Sequence, residues 1–136
     1  MDKDNIKAPM SGALSGVRVI DISNFLAGPI SSMFLGDFGA DVIKVERPGT
    51  GDEIRYWGNN KDGVGLMYKL VNRNKRSVTA DLRTPLGVQI VKALVKDADI
   101  IIENYRKGTL EKLGLDYETL SKINPGLIMV RITGFG

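Results

Sequence analysis

The stretch GVRVIDISNFLAGPISSMFLGDFGADVIKVER, residues 16–47, decides the fold of this chain. Its two ends, Gly16–Ser23 and Asp41–Arg47, are rich in β-branched residues and predict strands. Between them, Pro29 suits the first turn of a helix and Gly39 suits its end. The apolar residues that would share one face of this helix are Ile30, Met33, Phe34 and Phe38. A strand, a helix and a second strand in this order predict a parallel, right-handed unit.

The same alternation continues along the rest of the chain. Further strands are predicted at Ala98–Tyr105 and over residues 126–136, and a fifth at Arg76–Leu82, whose stronger alternation favours an edge or more exposed position. We therefore predict an α/β fold with a Rossmann-like open, mainly parallel sheet and helices on both faces. Residues 1–15 lack periodicity and predict a flexible amino-terminal arm, so one folded domain is expected over residues 16–136.

The helix signals between the strands differ in strength. The segment from Thr84 to Ala98 is the strongest, because Thr84 is a good N-cap, Pro85 suits the first helical position and apolar residues recur at helical spacing. Shorter helices are predicted over residues 108–114 and 116–124, with Asp116 as the N-cap of the second.

Composition excludes several kinds of chemistry. The chain has 136 residues, with 19 Lys and Arg against 16 Asp and Glu, interleaved throughout, which does not favour a nucleic-acid partner. It has no cysteine and no histidine, so disulfides, thiolate metal sites and the commonest general base are excluded, and no metal is expected. No apolar run approaches a membrane span and the start is polar, so we expect a cytoplasmic protein with no membrane partner.

Ligands of open parallel sheets bind beyond the carboxyl ends of the strands, so the loops there are the candidate sites. After the first strand, Ala27, Gly28 and Pro29 open a helix whose N–H groups suit a phosphate or an oxyanion; the alternative is a tight turn that needs glycine for space. The spacing G-x-G-x-x-G is missing, which disfavours NAD or FAD. After the second strand, Glu46 could bind a ribose and Arg47 could bind a phosphate, and we favour Arg47. The alternative is that this glycine-rich segment is a solvated turn with no ligand.

Two further segments carry candidate groups. The segment NRNKRSVTADLRT, residues 72–84, concentrates positive charge of the kind that a polyphosphate needs, although such runs are often solvated surface. Its cations are Arg73, Lys75, Arg76 and Arg83. After the fourth strand, Asn104 and Tyr105 offer a hydrogen bond and a ring face to a purine, while Asn104 equally suits a helix cap.

The order of these segments resembles one known family. Three stretches, covering residues 14–55, 72–87 and 97–136, are similar to the amino-terminal part of the family III coenzyme A transferases, a group that also contains the formyl-CoA and carnitine CoA-transferases and the α-methylacyl-CoA racemases. The resemblance implies that coenzyme A (CoA) is the carrier and that acyl-CoA and a carboxylic acid are the substrates. It also implies an interlocked homodimer of chains about three times longer.

The resemblance assigns roles to individual residues. It implies that Arg47 contacts the adenosine-phosphate part of CoA and that Arg83 and Lys112 are candidates for its phosphates. It places Ala80 and Leu82 near the adenine. It places Asn104 and Tyr105 beside the pantetheine path. The segment that would line the acyl site consists of Asn24, Phe25, Leu26 and Ala27.

One departure from the family concerns specificity. Formyl-CoA transferases have a glutamine at the position of Leu26, which helps to hold acyl intermediates. Leucine cannot form that hydrogen bond, so formyl or oxalate transfer is disfavoured and a larger, more apolar acyl group is favoured.

The family's catalytic groups are expected beyond this segment. In the transferases an aspartate after the GFG motif forms an acyl anhydride and then an aspartyl-CoA thioester. In the racemases a histidine and an aspartate serve as the acid–base pair. The sequence stops at this motif, at Gly136, so no catalytic residue is assigned, and we expect an amino-terminal CoA-binding portion, incomplete at its carboxyl end, that is inactive alone and self-associates. A racemase fragment and a non-catalytic binding module remain the alternatives.

Overall fold

The structure is a computed structural model that describes residues 11–135. In chain order its elements are β1 (Arg18–Asp21), α1 (Ala27–Asp37), β2 (Asp41–Glu46), a 3-10 turn (Glu53–Tyr56), β3 (Asn60–Lys61), β4 (Val64–Gly65), α2 (Leu66–Val71), β5 (Lys75–Thr79), α3 (Pro85–Val95), β6 (Ile100–Glu103), α4 (Thr109–Leu113), α5 (Tyr117–Ile123) and β7 (Ile128–Arg131). Five strands form one parallel sheet in the order β5-β2-β1-β6-β7, and β3 pairs with β4 in a separate hairpin. The predicted α/β fold is confirmed.

Side chains alternate across the sheet and feed two apolar clusters. Val19, Val42 and Ile102 point to the side covered by α1, where Leu35 packs against them. Ile20 and its neighbours on the adjacent strands point to the opposite side, covered by α3, α4 and α5. Since both faces are covered, the central strands are apolar on both sides, which is why they appear in the sequence as nearly continuous apolar runs.

The apolar face predicted for α1 is wrong in part. Phe34 and Phe38 are more than half exposed, whereas the residues that α1 buries are Gly28, Pro29, Ser32, Met33 and Gly36. A Cβ on Gly36 would lie 3.4 Å from the side chain of Val42. The helix therefore packs close to the sheet through small residues, and this contact turns its aromatic side chains outward.

Two predicted helix caps are confirmed. The hydroxyl of Thr84 accepts a hydrogen bond of 3.1 Å from the backbone N–H of Gly87, and Pro85 is the first residue of α3. The carboxylate of Asp116 accepts one of 3.0 Å from the N–H of Thr119 at the start of α5. Each satisfies one of the backbone donors that a helix leaves unpaired at its start.

The fifth strand and the segment before it complete the fold. β5 lies at the edge of the sheet and is mostly exposed, as its alternating sequence predicts. Residues 48–72 carry no strand or helix assignment from sequence, yet they form the 3-10 turn, the hairpin and α2, packed together around the fully buried Ile54. Short elements of this kind have too few residues to show a period.

The amino-terminal segment is partly described. Leu14, which lies within the segment predicted as an arm, donates a backbone hydrogen bond of 2.9 Å to Phe38 and packs against the cluster beneath α1. Residues 1–10 lie outside the described residues. In the described part, no helix has the length and apolar character that crossing a bilayer requires.

Candidate functional site

A small cleft lies at the carboxyl ends of β1, β2, β5 and β6. Its volume is about 100 Å³, and its lining residues are Asn24, Val45, Glu46, Arg47, Ala80, Asp81, Leu82, Arg83 and Tyr105. Six residues assigned to the site from sequence therefore share one cleft: Asn24, Arg47, Ala80, Leu82, Arg83 and Tyr105. Parallel strands bring their following loops to the same edge, so residues far apart in sequence converge here.

The two arginines of this cleft are exposed and are paired with local carboxylates. Arg83 forms a two-pronged contact with Asp81, at 2.9 and 2.8 Å, and its side chain is 74% exposed. Those hydrogen bonds lower the pKa of Asp81 to about 2. Arg47 lies 3.8 Å from Glu53 and is 49% exposed. Exposed pairs of this kind contribute little to stability, so both guanidinium groups are available to an anionic ligand at small cost.

A larger cleft adjoins the first at Tyr105. Its volume is about 670 Å³, and its lining residues are Ala27, Asn104, Tyr105, Arg106, Lys107, Arg131, Ile132, Thr133, Gly134 and Phe135. Burial raises the pKa of Tyr105, so its phenol stays protonated at neutral pH. The two clefts together form a path that starts among exposed arginines and ends beside the first turn of α1.

Asn104, which lines the larger cleft, is bonded to Asn24, which lines the smaller one. Its side-chain oxygen accepts a 2.8 Å hydrogen bond from the N–H of Asn24, and its side-chain nitrogen donates one of 2.7 Å to the carbonyl of Asn24. This amide therefore joins the loop after β6 to the loop after β1, instead of capping a helix.

Three assigned residues line neither cleft. Lys112 is exposed near the end of α4, and Phe25 and Leu26 lie in the loop before α1. Their roles stay predictions.

Glycine is required at position 28 for packing, because a Cβ there would overlap the side chain of Ser23. Gly28 therefore provides the space for a tight strand-to-helix turn.

The positive cluster expected over residues 72–84 does not form. Arg73 bonds to Asp37, and Arg76 bonds to Asp41. The side chain of Lys75 is buried, and its ammonium donates hydrogen bonds to the backbone carbonyl of Pro29 and to the side chains of Asp21 and Asn72. Of these four cations, only Arg83, beyond the carboxyl end of β5, lines the cleft, because Lys75 and Arg76 lie at the amino end of β5 and Arg73 precedes this strand.

Glu46 is not available for a ribose. Its carboxylate accepts two hydrogen bonds from Arg55, at 2.8 and 2.7 Å, and others from Tyr68, Ser77 and the N–H of Asp52. Burial alone would raise the pKa of Glu46, but these donors and the charge of Arg55 lower it to about 2. Arg55 also stacks on the ring of Tyr68, 3.8 Å from its centroid. The preference for Arg47 over Glu46 as a ligand contact stays a prediction.

Sequence reasoning missed a buried set of four alternating charges, which we name the ionic core: Asp52, Lys44, Asp21 and Lys75. The ammonium of Lys44 lies 3.0 Å from Asp52 and 3.7 Å from Asp21, and the ammonium of Lys75 lies 3.0 Å from Asp21. All four side chains are about 1% exposed or less. The available signal was a charge inside each of two buried strands, in VIDIS and VIKVE.

The charges of the ionic core balance, with two carboxylates against two ammonium groups. Burial would raise the pKa of Asp21, yet both lysines and two serine hydroxyls, from Ser23 and Ser32, hold it below its usual value. Burial lowers the pKa of Lys75 to about 8 despite the neighbouring carboxylate.

Within residues 11–135, no group of three acidic, histidine or cysteine side chains is arranged to hold a metal ion.

The fold and the cleft define an α/β protein with a Rossmann-like parallel sheet and an arginine-lined site at its carboxyl edge. Residues 14–136 match the model of CoA-transferase family III, and the chain belongs to this family. It is 52% identical over 124 residues to succinyl-CoA–D-citramalate CoA-transferase of Chloroflexus aurantiacus, with 90% of this chain and 31% of that protein covered. It is 46% identical over 136 residues to human succinyl-CoA:glutarate CoA-transferase, with 99% and 30% covered.

The similarity extends to solved structures. A CAIB/BAIF family protein from Brucella suis superposes with a TM-score of 0.86 at 48% identity, covering 92% of this chain and 34% of that one. The chain therefore spans about a third of the length of the relatives that it matches.

Proposed function

We propose that this chain is the CoA-binding portion of a CoA-transferase that moves CoA between an acyl-CoA and a carboxylic acid. The observation that carries this proposal is the convergence of Arg47 and Arg83 on one cleft that continues into a second one at Tyr105. The carrier has the same order of parts, with an anionic nucleotide at one end and a long, weakly polar arm ending in a thioester.

The proposed placement follows the chemistry of each cleft. The phosphates would lie over Arg47 and Arg83, where forked donors favour phosphate oxygens. The adenine would lie against Ala80 and Leu82. At about 100 Å³ the first cleft is smaller than an enclosed ligand pocket, so the nucleotide would rest in an open groove and exchange readily. Lys112 remains a candidate for an outlying phosphate.

The rest of the carrier would follow the larger cleft. The pantetheine arm would pass Asn104 and Tyr105, and the thioester would reach the segment Asn24–Ala27. An aspartate beyond residue 136 would attack the thioester carbonyl, releasing CoA thiolate and leaving a mixed anhydride. The thiolate would then attack the aspartyl carbonyl of the anhydride, which releases the first acid and forms aspartyl-CoA. The second acid would reverse these two steps to leave as its own CoA thioester.

The relatives narrow the proposed acid. Their names specify succinyl-CoA with D-citramalate or glutarate, which are dicarboxylic acids. We propose a dicarboxylic acid for this protein too, in place of the apolar acyl group that Leu26 alone favours. Rates with succinyl-CoA and with a medium-chain acyl-CoA of equal concentration decide between them, because a preference for the apolar substrate would contradict the proposal.

The CoA site is tested by calorimetric titration of the protein expressed from its whole gene. Arg83→Ala and Arg47→Ala should each weaken CoA binding about tenfold, since a charge-assisted hydrogen bond to phosphate is lost. Arg76→Ala is the matched control, because Arg76 is also an exposed arginine paired with an aspartate but lines neither cleft. Equal loss in all three variants, or none in the first two, would refute the assignment.

We also propose that the intact protein is a homodimer and that the isolated segment self-associates. Several large apolar side chains are about half exposed or more in the described structure: Phe34, Phe38, Trp57, Leu70 and Ile128. Apolar surface of this extent favours burial against further chain or another copy. Light scattering after size-exclusion chromatography should show a dimer for the whole gene product, and a compact monomer would contradict this.

A further inference from the structure

The loop that carries the proposed acyl site is held by side chains from outside it. The ammonium of Lys44 donates a hydrogen bond to the carbonyl of Ser23. Asn104 bonds to both the N–H and the carbonyl of Asn24. The N–H of Phe25 donates a 3.0 Å hydrogen bond to the carboxylate of Asp52. Three consecutive residues of this loop, Ser23, Asn24 and Phe25, are thus held through their backbone groups.

Phe25 has a backbone conformation that needs such support. Its φ is +61°, in the left-handed region that residues with a Cβ disfavour. Its ring is half exposed, so ring packing does not account for this conformation. Strained backbone of this kind persists only where the surroundings hold it, and it concentrates at functional sites.

Asp52 is built into the fold as a rigid support. One carboxylate oxygen accepts from the N–H groups of Phe25 and Ile54, at 3.0 and 3.1 Å, so it caps the 3-10 turn and holds the loop together. The other oxygen lies 3.0 Å from the ammonium of Lys44 and accepts no hydrogen bond within residues 11–135. The backbone N–H of Asp52 donates to Glu46, so the residue is fixed from β2 as well.

We propose that Asp52 is a positioning residue for the transfer reaction: with Lys44 behind it, it keeps Phe25 left-handed and so aims the segment Asn24–Ala27 at the acyl end of CoA. This inference rests on the proposed function. Asp52 lines neither cleft, so it acts on the thioester end through the loop and not by touching the carrier.

The test uses two double variants that differ in one oxygen, the one that accepts from the N–H groups of Phe25 and Ile54. Lys44→Met with Asp52→Asn removes the buried ion pair but keeps an oxygen for the N–H of Phe25. Lys44→Met with Asp52→Leu removes the ion pair and that oxygen. Both leave Asp21 paired with Lys75, so neither leaves an isolated buried charge. Both also lose the bond from Lys44 to Ser23, so that loss cancels in the comparison.

The kinetic constants of the whole gene product decide the outcome. The double variant with Asp52→Leu should have a kcat about tenfold or more below that of the double variant with Asp52→Asn, because the left-handed conformation of Phe25 is no longer held. Their dissociation constants for CoA should agree within about threefold, because the nucleotide cleft is intact. Equal kcat values would overturn the proposal, and so would a parallel loss of CoA affinity, which indicates a general structural defect.

Two single variants at Phe25 keep the proposal falsifiable if the double variant with Asp52→Leu does not fold. Phe25→Gly and Phe25→Val both remove the exposed ring, but glycine accepts the left-handed conformation and the β-branched valine opposes it. The kcat of Phe25→Val should be about tenfold below that of Phe25→Gly. Equal values would show that transfer does not depend on the left-handed conformation of residue 25, and would overturn the proposal.

Amide hydrogen exchange separates failure of this inference from failure of the proposed function. The N–H of Phe25 should exchange slowly in the parent and in the double variant with Asp52→Asn. It should exchange at least tenfold faster in the double variant with Asp52→Leu. If the parent neither binds CoA nor transfers it, the proposed function fails, while this exchange difference still decides whether Asp52 holds the loop. Equal exchange in both double variants would refute the positioning role by itself.

Discussion

Two groups of charges in this molecule, the ionic core and the arginines of the first cleft, differ in how much water reaches them. The ionic core lies beneath the loop before α1, where Lys44 and Lys75 are about 1% exposed and every charge faces an opposite one. In the first cleft, Arg47 and Arg83 are about half exposed or more, and each is paired with a carboxylate that is partly exposed itself.

The difference separates structural charges from ligand-binding ones. A buried ion has lost its hydration and depends on its partners, so it cannot exchange them for a ligand without a large cost. An exposed guanidinium keeps most of its hydration and can exchange a weak partner for a phosphate. A positively charged residue in this sequence can therefore be assigned to a binding site only once the burial of its side chain is known.

The largest expected effect comes from breaking the ionic core. Asp21→Asn would leave two buried ammonium groups short of negative charge and should lower the free energy of unfolding by about 3–5 kcal/mol. The matched control is Asp41→Asn, because Asp41 also pairs with two cations, Arg18 and Arg76, at a partly exposed site. Its expected cost is at most about 1 kcal/mol. Urea denaturation measures both, and similar costs would contradict the distinction.

A smaller effect concerns acid stability through Glu46. Its pKa is about 2 in the folded protein against an ordinary 4.5, so it stabilises the fold above pH 4.5, and this contribution is lost as the pH falls through 2. At about 1.4 kcal/mol for each pKa unit, the contribution is about 3 kcal/mol at neutral pH.

Glu46→Gln tests this pH dependence. The difference in unfolding free energy between parent and variant should be about 3 kcal/mol at pH 7 and should shrink as the pH approaches 2. Denaturation curves over a pH series measure it. A difference that stays constant with pH would show that the variant acts through packing alone.

The smallest expected effect is a gain in binding at the exposed cleft. Asp81→Asn removes the carboxylate that holds Arg83 and should strengthen CoA binding about two- to fivefold, as expected for an exposed pair. The same change in an Arg83→Ala background should have less effect, because the competing pair is already gone. Calorimetry of the four proteins measures the coupling, and a weakened affinity in Asp81→Asn would contradict a phosphate site at Arg83.

Much of the fold was predictable because it depends on local signals. The β-branched runs at Arg18–Asp21 and Asp41–Glu46 and the caps Thr84 and Asp116 are signals that a few neighbouring residues produce. The apolar face of α1 was not predictable from periodicity, since close packing through glycine and serine turned Phe34 and Phe38 outward. Periodicity records which residues share a face, but not which face meets the sheet.

The candidate site was predictable only in outline. The loops after the strands pointed to Arg47, Arg83, Asn104 and Tyr105, and the family resemblance gave them roles. Asp52 gave no signal, because it lies in a glycine-rich segment that looks like a solvated turn and its partners are 8 and 27 residues away, at Lys44 and Phe25. Contacts over such separations are set by the fold and leave no local pattern.

The sequence by itself determined the caps, the family and the strands and helices outside residues 48–72, because these depend on neighbouring residues and on motifs that can be recognised one at a time. Only the tertiary structure decided which charges are buried. Arg73, Arg76, Lys75 and Arg83 lie within 11 positions of each other, yet one enters the ionic core, two pair at the surface and one faces the cleft. The physical reason is that the cost of a charge depends on its distance from water, which the assembled sheet and helices set.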